Sequence, residues 1–513
     1  VAREVTRVVT PGTVVEPTLL DEKRPNYLAA VVVEADPSTP PRASRAGLAY
    51  VDITTGEFAT AQLQASEVEQ ELARLQPREC LVPASESQQP ETLNLKPETL
   101  PSGTHLTPLP TYRFELGAAR QVLSDHFGVA TLDGFGCAGK PLATRAAGAI
   151  IHYLRETQKG ALAQIVGLST YSTARFMMLD ATTRRNLELT ETIRERKARG
   201  ALLGVLDLTL TPMGGRLLRS RLAQPLLDRA ELEARLDQVQ AFYEDTITRG
   251  QVREVLKDVP DLERLTNRVL AGVATPRDLV GIRKALEATG RIGSQEAGGN
   301  EAKHTKGESH ASSLPSSLTS SLNPCKDVVA LIAAAVVDDP PADTSAGGVI
   351  RPGFSAELDS IVTAAQDAKA WIANLEKEER ERTGVRSLKV GYNKVFGYYI
   401  EITKANLDAV PDEYIRKQTL VNAERYITPE LKEYETLILN AEERQAEVET
   451  RLFKEVCSQV GARSGALLKT ARALARLDVA AALAEVALQN RYVRAELCDA
   501  DVLEIVAGRH PVV

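Results

Sequence analysis

Apolar residues along the chain fall first in short runs and later in spaced patterns. Tyr27 to Ala35 is an apolar run of strand length. Gly47 to Ile53 and Glu57 to Leu63 flank Thr54-Thr55-Gly56, which predicts a hairpin. Ser66 with Glu69 three residues on reads as a capping box and predicts a helix through Leu72 and Leu75. Cys80-Leu81-Val82 is a short strand, and Gly117 to Phe127 and Leu142 to Thr157 have helical spacing. These elements predict a compact α/β domain over 25–160. Residues 1–24, with Pro11-Gly12 and Asp21-Glu22-Lys23-Arg24, read as a connection into it.

From about residue 170 the period is helical. Arg184 to Lys197, Gly214 to Leu222, Arg229 to Thr246, Leu262 to Leu270 and Pro276 to Ala288 carry spaced apolar residues, punctuated by Pro212, Pro225, Pro260 and Pro276. Residues 291–325 are rich in Gly, Ser, Asn and Lys with almost no aromatics, which predicts a disordered insert.

The last third predicts an arm. Leu358, Ile361, Ala365, Ala368, Ile372 and Leu375 recur at three- and four-residue steps, a coiled-coil-like seam that stops near Gly384. Two β-rich segments follow, Ser387 to Tyr392 and Val395 to Thr403, joined by Asn393-Lys394, then a third extended piece from Tyr414 to Ile427. Thr428-Pro429-Glu430 supplies an N-cap, a proline at N1 and an acid in the first turn of a second long helix. Its seam is Leu431, Tyr434, Ile438, Ala441, Val448 and Leu452. If the two helices pair antiparallel, the β insertion projects roughly 35–40 Å from their base. Helical segments return after Gly461, to about Asn490, and are expected to rejoin the earlier helical domain.

Composition narrows the chemistry. A chain of 513 residues is too long for one core. A net charge of -7 excludes a uniformly basic nucleic-acid binder, so any DNA contact must be local. Five scattered cysteines and six histidines show no zinc spacing, and fit reduced thiols in a cytosol. The sequence offers no membrane span and no signal peptide, and it begins without an initiator Met, as a trimmed chain would.

The predicted arm tip is the best place for function. It holds Lys389, Lys394, Lys404, Arg416 and Lys417, interleaved with Asn393, Gln418, Thr419 and Asn422 and with Tyr392, Phe396, Tyr398, Tyr399, Tyr414 and Tyr426. Cations neutralise phosphates, and amides and hydroxyls bond phosphate oxygens without reading sequence. The plain alternative is a solvated sheet whose aromatics are its core, with Glu401, Asp408, Asp412, Glu413 and Glu424 diluting the charge. Gly134 to Pro141 has P-loop glycine and lysine spacing, but Pro141 stands where a metal-binding hydroxyl belongs, so no nucleotide site is assigned. Phe242-Tyr243-Glu244 could form a base wedge, yet it sits within the apolar period of a helix and reads as core. Asp52, Glu69 and Glu71 could arm a metal nuclease, or simply be solvated acids.

Several segments together resemble the MutS family. They are Arg7 to Thr13, Met178 to Glu188, Leu210 to Gly214, Leu388 to Asn393, Gly397 to Ile400, Arg416 to Tyr426 and Gly508 to Val513, in the family's order across nearly the whole chain. The resemblance implies a multidomain fold, α/β then mainly α. A connector similar to RNase H spans 25–160, with 1–24 the link from a mismatch-binding domain. Residues 165–354 and 436–500 are the two parts of a helical core with long antiparallel levers. Lever tips and a small β clamp span 355–435, and 501–513 starts an ATPase domain. It implies DNA mismatch repair, with Asn393, Lys394, Lys404, Gln418 and Asn422 as DNA-backbone contacts, to which the charge pattern of the tip adds Arg416 and Lys417. Some members carry lysine where this chain has Val421. No catalytic, cofactor or metal residue is expected here. ATP and Mg²⁺ belong to the full-length protein, expected to be a DNA-dependent ATPase, a cytoplasmic homodimer and a partner of a MutL-type protein through connector and core. The alternatives are an RNase H-like nuclease and an architectural coiled-coil protein.

Overall fold

A computed structural model describes residues 7–34, 44–84, 100–101, 103–158, 162–298, 315–345, 347–393, 395 and 397–512. They form two compact units: Val1–Ala274 with Gly281–Val329 and Val460–Val513, and Thr275–Val280 with Ala330–Gln459.

The first unit begins with a mixed sheet. β1 (Leu28–Glu34), β2 (Arg45–Asp52) and β3 (Glu57–Gln64) make an antiparallel meander. Gly56, at φ +72°, closes the predicted hairpin in a conformation that favours glycine. α1 (Val68–Leu75) leads to β4 (Glu79–Ala84), parallel to β1, and β5 (His105–Pro110) lies parallel to β4. α2 (Leu116–Phe127) and α3 (Pro141–Gln158) follow, and β6 (Ser169–Thr170) pairs with β3. The order is β5-β4-β1-β2-β3-β6. Apolar cores lie on both faces: Ile150, Ile151 and Leu154 of α3 on one, Leu72 and Leu75 of α1 on the other. Burial of both faces is why β1 is a continuous apolar run rather than an alternating one.

Two local expectations change here. A 3₁₀ turn, Ala65–Glu67, precedes α1, so Ser66 is not its cap; the Glu67 carboxylate instead accepts from the Gln64 N–H at 2.8 Å. The N-terminal connection is anchored to the sheet. Buried Glu79 accepts from Thr10 Oγ1, Gly12 N, Thr107 Oγ1 and Tyr153 OH at 2.6–3.0 Å.

The helical part comprises α4 (Ala181–Asn186), α5 (Leu202–Leu206), α6 (Pro212–Ala223), α7 (Arg229–Glu244), α8 (Thr246–Leu256), α9 (Leu262–Leu270), α10 (Pro276–Gly298), α11 (Ser316–Thr319) and α12 (Lys326–Ala335). The helix expected over 184–197 ends at Asn186. Glu188 and Arg196 take positive φ, and the Glu188 carboxylate accepts the Ile193 N–H at 2.7 Å, a local bond that competes with the helix. Phe242 is fully buried, as its helical period predicts. The disordered insert expected over 291–325 is corrected at its two ends. α10 continues to Gly298, Leu318 of α11 is 1% exposed, and Asn323 exchanges hydrogen bonds with the Thr470 hydroxyl at 3.1–3.3 Å. Average composition hid these single anchors. Residues 299–314 lie outside the described residues.

In the second unit α13 (Ala356–Thr383) is capped by Ser355 and ends at Gly384, φ +71°. β7 (Lys389–Asn393), β8 (Gly397–Thr403), β9 (Ile415–Thr419) and β10 (Ala423–Ile427) form an antiparallel sheet of order β7-β8-β10-β9. The single extended piece expected over 414–427 is thus a hairpin, turned at Leu420-Val421-Asn422. α14 (Pro429–Gly461) returns antiparallel to α13: Tyr434 stacks on Trp371 at 3.8 Å, Glu442 meets Lys369 at 2.7 Å, and Arg451 meets Glu357 at 2.7 Å. Of the seams predicted on both helices, Leu358, Ala365, Ala368, Ile372 and Leu375 and Leu431, Ile438, Val448 and Leu452 are buried, and Ile361, Tyr434 and Ala441 are half-buried. At 1.5 Å per residue the two helices are about 42 and 50 Å long.

α15 (Ser464–Asn490) packs against α6, α7 and α9 in the first unit. Its fully buried Asp478 accepts from Leu210 N, Thr211 N and Thr211 Oγ1 at 2.7–3.1 Å, and so receives the start of α6. Among the described residues no helix is long and apolar enough to cross a membrane.

Candidate nucleic-acid interface

The arm sheet has an inner and an outer face. Ile400, Ile402, Tyr414, Tyr426 and Ile427 join Leu375 and Ile438 in one core, so two of the predicted tip aromatics are structural. Burial and the Glu424 carboxylate, which accepts its hydroxyl at 2.6 Å, push the Tyr426 phenol up to about 12. Burial and Glu379, the acceptor at 2.6 Å, likewise raise Tyr414.

The outer face carries a polar row in register across all four strands: Lys389, Glu401, Arg425 and Gln418. Arg425 donates to Glu401 at 2.9 Å and to Gln418 Oε1 at 3.0 Å, with its guanidinium 4.1 Å from the centre of the Tyr399 ring. This arginine is held by its own sheet. Gln418 is consequently occupied as an acceptor.

The candidate DNA residues separate into three places. Lys404 and Asn422 come together at one end of the sheet, where the Lys404 N–H donates to the Asn422 carbonyl at 3.1 Å. Both side chains are exposed, and Val421 beside them is 86% exposed. On edge strand β9 the register shifts opposite Arg425 and Tyr426 and leaves Lys417 as the extra residue. The bulge divides its neighbours. Arg416 lies opposite inner-face Tyr426, 3.5 Å from Glu424, whereas Gln418 bonds outer-face Arg425. Exposed Lys417 has no ion pair with a described residue. Asn393 sits at the other end, where its Oδ1 accepts the Val395 N–H at 2.8 Å. Six strand steps from Gly397 to Thr403 separate the two ends by about 20 Å. The Asn393 end folds back along the helices, since Val390 N donates to Glu376 at 3.0 Å and Gly397 lies against Glu435. Lys394 lies outside the described residues.

The pattern reading missed a polar cluster beside Lys404. Ser387 and Thr403 hydroxyls meet at 3.0 Å, and the Asn406 amide donates to both at 2.9 and 3.1 Å. Exposed Arg386 adjoins it. No local signal marks these residues, because strand register alone assembles them.

The acids considered for a nuclease do not form a metal site. Buried Asp52 accepts from Asn26 N, Thr54 N and Thr54 Oγ1 at 2.6–2.9 Å. Glu71 is paired with Arg74 at 2.8 Å, and Glu69 is exposed. Among the described residues no group of three or more His, Cys, Asp or Glu could hold a metal.

Fold and site define a class: a modular α/β and helical protein that presents a small polar sheet at the end of a paired-helix arm. Sequence comparison agrees part by part. Residues 26–166 match MutS domain II and residues 182–484 match MutS domain III. DNA mismatch repair protein MutS of Dehalococcoides mccartyi strain CBDB1 is 44% identical over 513 residues, all of this chain and 57% of that protein. The proteins of the same name from Halothermothrix orenii and Symbiobacterium thermophilum are each 43% identical over the whole chain, which covers 55% and 56% of them. The chain belongs to the MutS family. It spans somewhat more than half the length of these relatives.

Proposed function

We propose that this chain serves DNA mismatch repair by gripping the backbone of duplex DNA at the far end of its arm sheet. One observation carries the reading. Lys404 and Asn422 stand exposed side by side, tied by a backbone bond, with Lys417, which has no ion pair with a described residue, on the adjoining edge strand. Cation and amide at a rigid edge suit phosphate oxygens, which position a duplex without reading its sequence. Asn393, Lys394, Arg416 and Gln418 complete the proposed contact set, the last two in supporting roles set by their bonds within the sheet.

The remaining roles follow from the family. Three antiparallel strands followed by two parallel ones support an RNase H-like connector used as a scaffold. The helical core and paired helices act as levers between the DNA grip and an ATPase domain, and ATP and Mg²⁺ act there, on residues outside this set. Homodimer formation, a MutL-type partner on connector and core, and a cytoplasmic setting belong to the same reading.

Hydrogen exchange with and without a duplex tests it. Added DNA should slow amide exchange at 403–406 and 415–422. Protection confined to the first unit would overturn the assignment.

A further inference from the structure

The first unit holds a cavity of about 590 Å³ whose charged lining, among the described residues, is eight arginines and one acid, Glu191. Buried charges are ordinarily paired, and some of these guanidiniums are. Buried Arg216 is held by Asp261 and Glu263 at 2.6–2.9 Å, and Arg74 by Glu71 at 2.8 Å. Arg184 donates to the carbonyls of Leu179 and Ala223. Arg24 sits loosely between Asp21 at 3.4 Å and Glu191 at 3.6 Å.

Arg78, Arg185 and Arg219 differ. None of the three side chains makes a hydrogen bond or ion pair with another described residue, and all three line this cavity. Arg78 and Arg185 are exposed, while Arg219 is half-buried. Burial, and then the charge of Arg24, push the Arg219 guanidinium down to about 10, so it stays charged at neutral pH while partly stripped of water. Asp21, Glu191 and Asp207 pull the other way without bonding it, and a desolvated cation with no direct partner is costly until an anion sits beside it. Thr192 adds a neutral group to the same lining: its hydroxyl is buried without a hydrogen-bond partner.

We propose that this cavity is a binding site for a phosphoryl oxyanion, with Arg78, Arg185 and Arg219 as guanidinium donors and the Thr192 hydroxyl as a neutral one. Guanidinium forks match phosphate oxygens in pairs. Three cations without an ion-pair partner among the described residues call for more than the single charge of a carboxylate, and the volume exceeds that of one small ion. A free polyphosphate and a nucleic-acid backbone share this chemistry. The site is separate from the proposed grip on the arm, which lies in the other unit.

Calorimetric titration of the full chain with sodium pyrophosphate tests the site, in chloride buffer of matched ionic strength. One saturable event is expected. Arg78→Gln with Arg185→Gln should weaken it at least tenfold; both residues are exposed, so the fold is retained. Arg219→Lys, which keeps the charge but not the fork, should weaken it less. The arm variant Lys404→Glu with Lys417→Glu should bind pyrophosphate as the unaltered chain does, which separates this site from the DNA grip. A single-stranded oligothymidylate that displaces pyrophosphate would make a nucleic-acid backbone the source. Failure to displace would leave the free ion as ligand. No saturable heat, equal affinity in the double arginine variant, or binding of hexaglutamate in place of pyrophosphate would each overturn the proposal.

Discussion

Reversing Lys404 and Lys417 to glutamate should change how DNA binding responds to salt while leaving the fold intact. The structure separates the arm's cations into held and free. Arg425 is held by Glu401, Gln418 and Tyr399, Arg382 by Glu379 and Glu413, and Arg380 by Glu376 and the Leu388 carbonyl. Lys404, Lys417, Arg386 and Lys389 are exposed, with no ion pair to a described residue. Two to four free cations neutralise as many phosphates, and each contributes about -0.9 to the slope of log K against log salt, so the slope should be roughly -2 to -4. Affinity should be that of non-specific binding, about 10⁻⁴ to 10⁻⁶ M at physiological salt. Removing two contacts should flatten the slope by about two units. Since both side chains are exposed, the reversals should move stability by no more than about 0.5 kcal/mol. The assay is fluorescence anisotropy across a salt series, on a matched and a G·T duplex. Phosphate contacts carry no sequence information, so both duplexes should weaken equally. An unchanged slope would move the DNA site away from this end of the sheet, and a mismatch preference above about threefold would show base readout that these contacts cannot supply.

Asp478→Ala should orphan the Leu210 and Thr211 N–H groups and the Thr211 hydroxyl, each worth about 1–3 kcal/mol when buried. Urea unfolding should show a loss of about 3 kcal/mol or more, and a loss under about 1 would refute the role. Burial holds the Asp478 carboxyl above its ordinary range, so the folded state takes up this proton more readily than the unfolded chain. The stability advantage over the non-titrating Asp478→Asn should therefore shrink as pH rises from about 4, and growth with pH would refute the sign. Gly397→Ala should destabilise the arm sheet by about 1–3 kcal/mol, because φ is +77° and the new Cβ would overlap Glu435. Fluorescence of Trp371, the chain's single tryptophan, reports that unit, and an unchanged midpoint would count against the clash. Leu318→Ala should lower stability by about 2–5 kcal/mol although it lies in a polar stretch, and calorimetry showing no loss would restore the disordered reading. ATP turnover by this chain should equal a mock preparation; turnover that survives Lys140→Ala would reveal a nucleotide site elsewhere.

Sequence determined what depends on period and on short-range chemistry. The β1 run is legible as an unbroken apolar stretch of strand length, the Gly56 hairpin and the Thr428-Pro429 helix start by their turn and cap residues, and the two arm seams because an amphipathic face repeats at 3.6 residues whatever lies opposite it. Local hydrogen bonding limits that legibility: Arg184 to Lys197 has enough spaced apolar residues to suggest a helix, yet Glu188 bonds Ile193 and ends it early. Composition fails in a similar way at the ends of 291–325, since an average cannot show that Leu318 is buried and that Asn323 bonds Thr470. The candidate DNA residues were legible as a list but not as an arrangement. Strand register brings Lys404 to Asn422, assembles Ser387, Thr403 and Asn406, and sets Asn393 about 20 Å away. A single bulged residue, Lys417, sends Arg416 and Gln418 to opposite faces, because one extra residue reverses the alternation of a strand. The arginine cavity is invisible in sequence for the same reason. Arg78, Arg185 and Arg219 are far apart along the chain, and only tertiary packing decides that the three line one cavity with no ion-pair partner among the described residues.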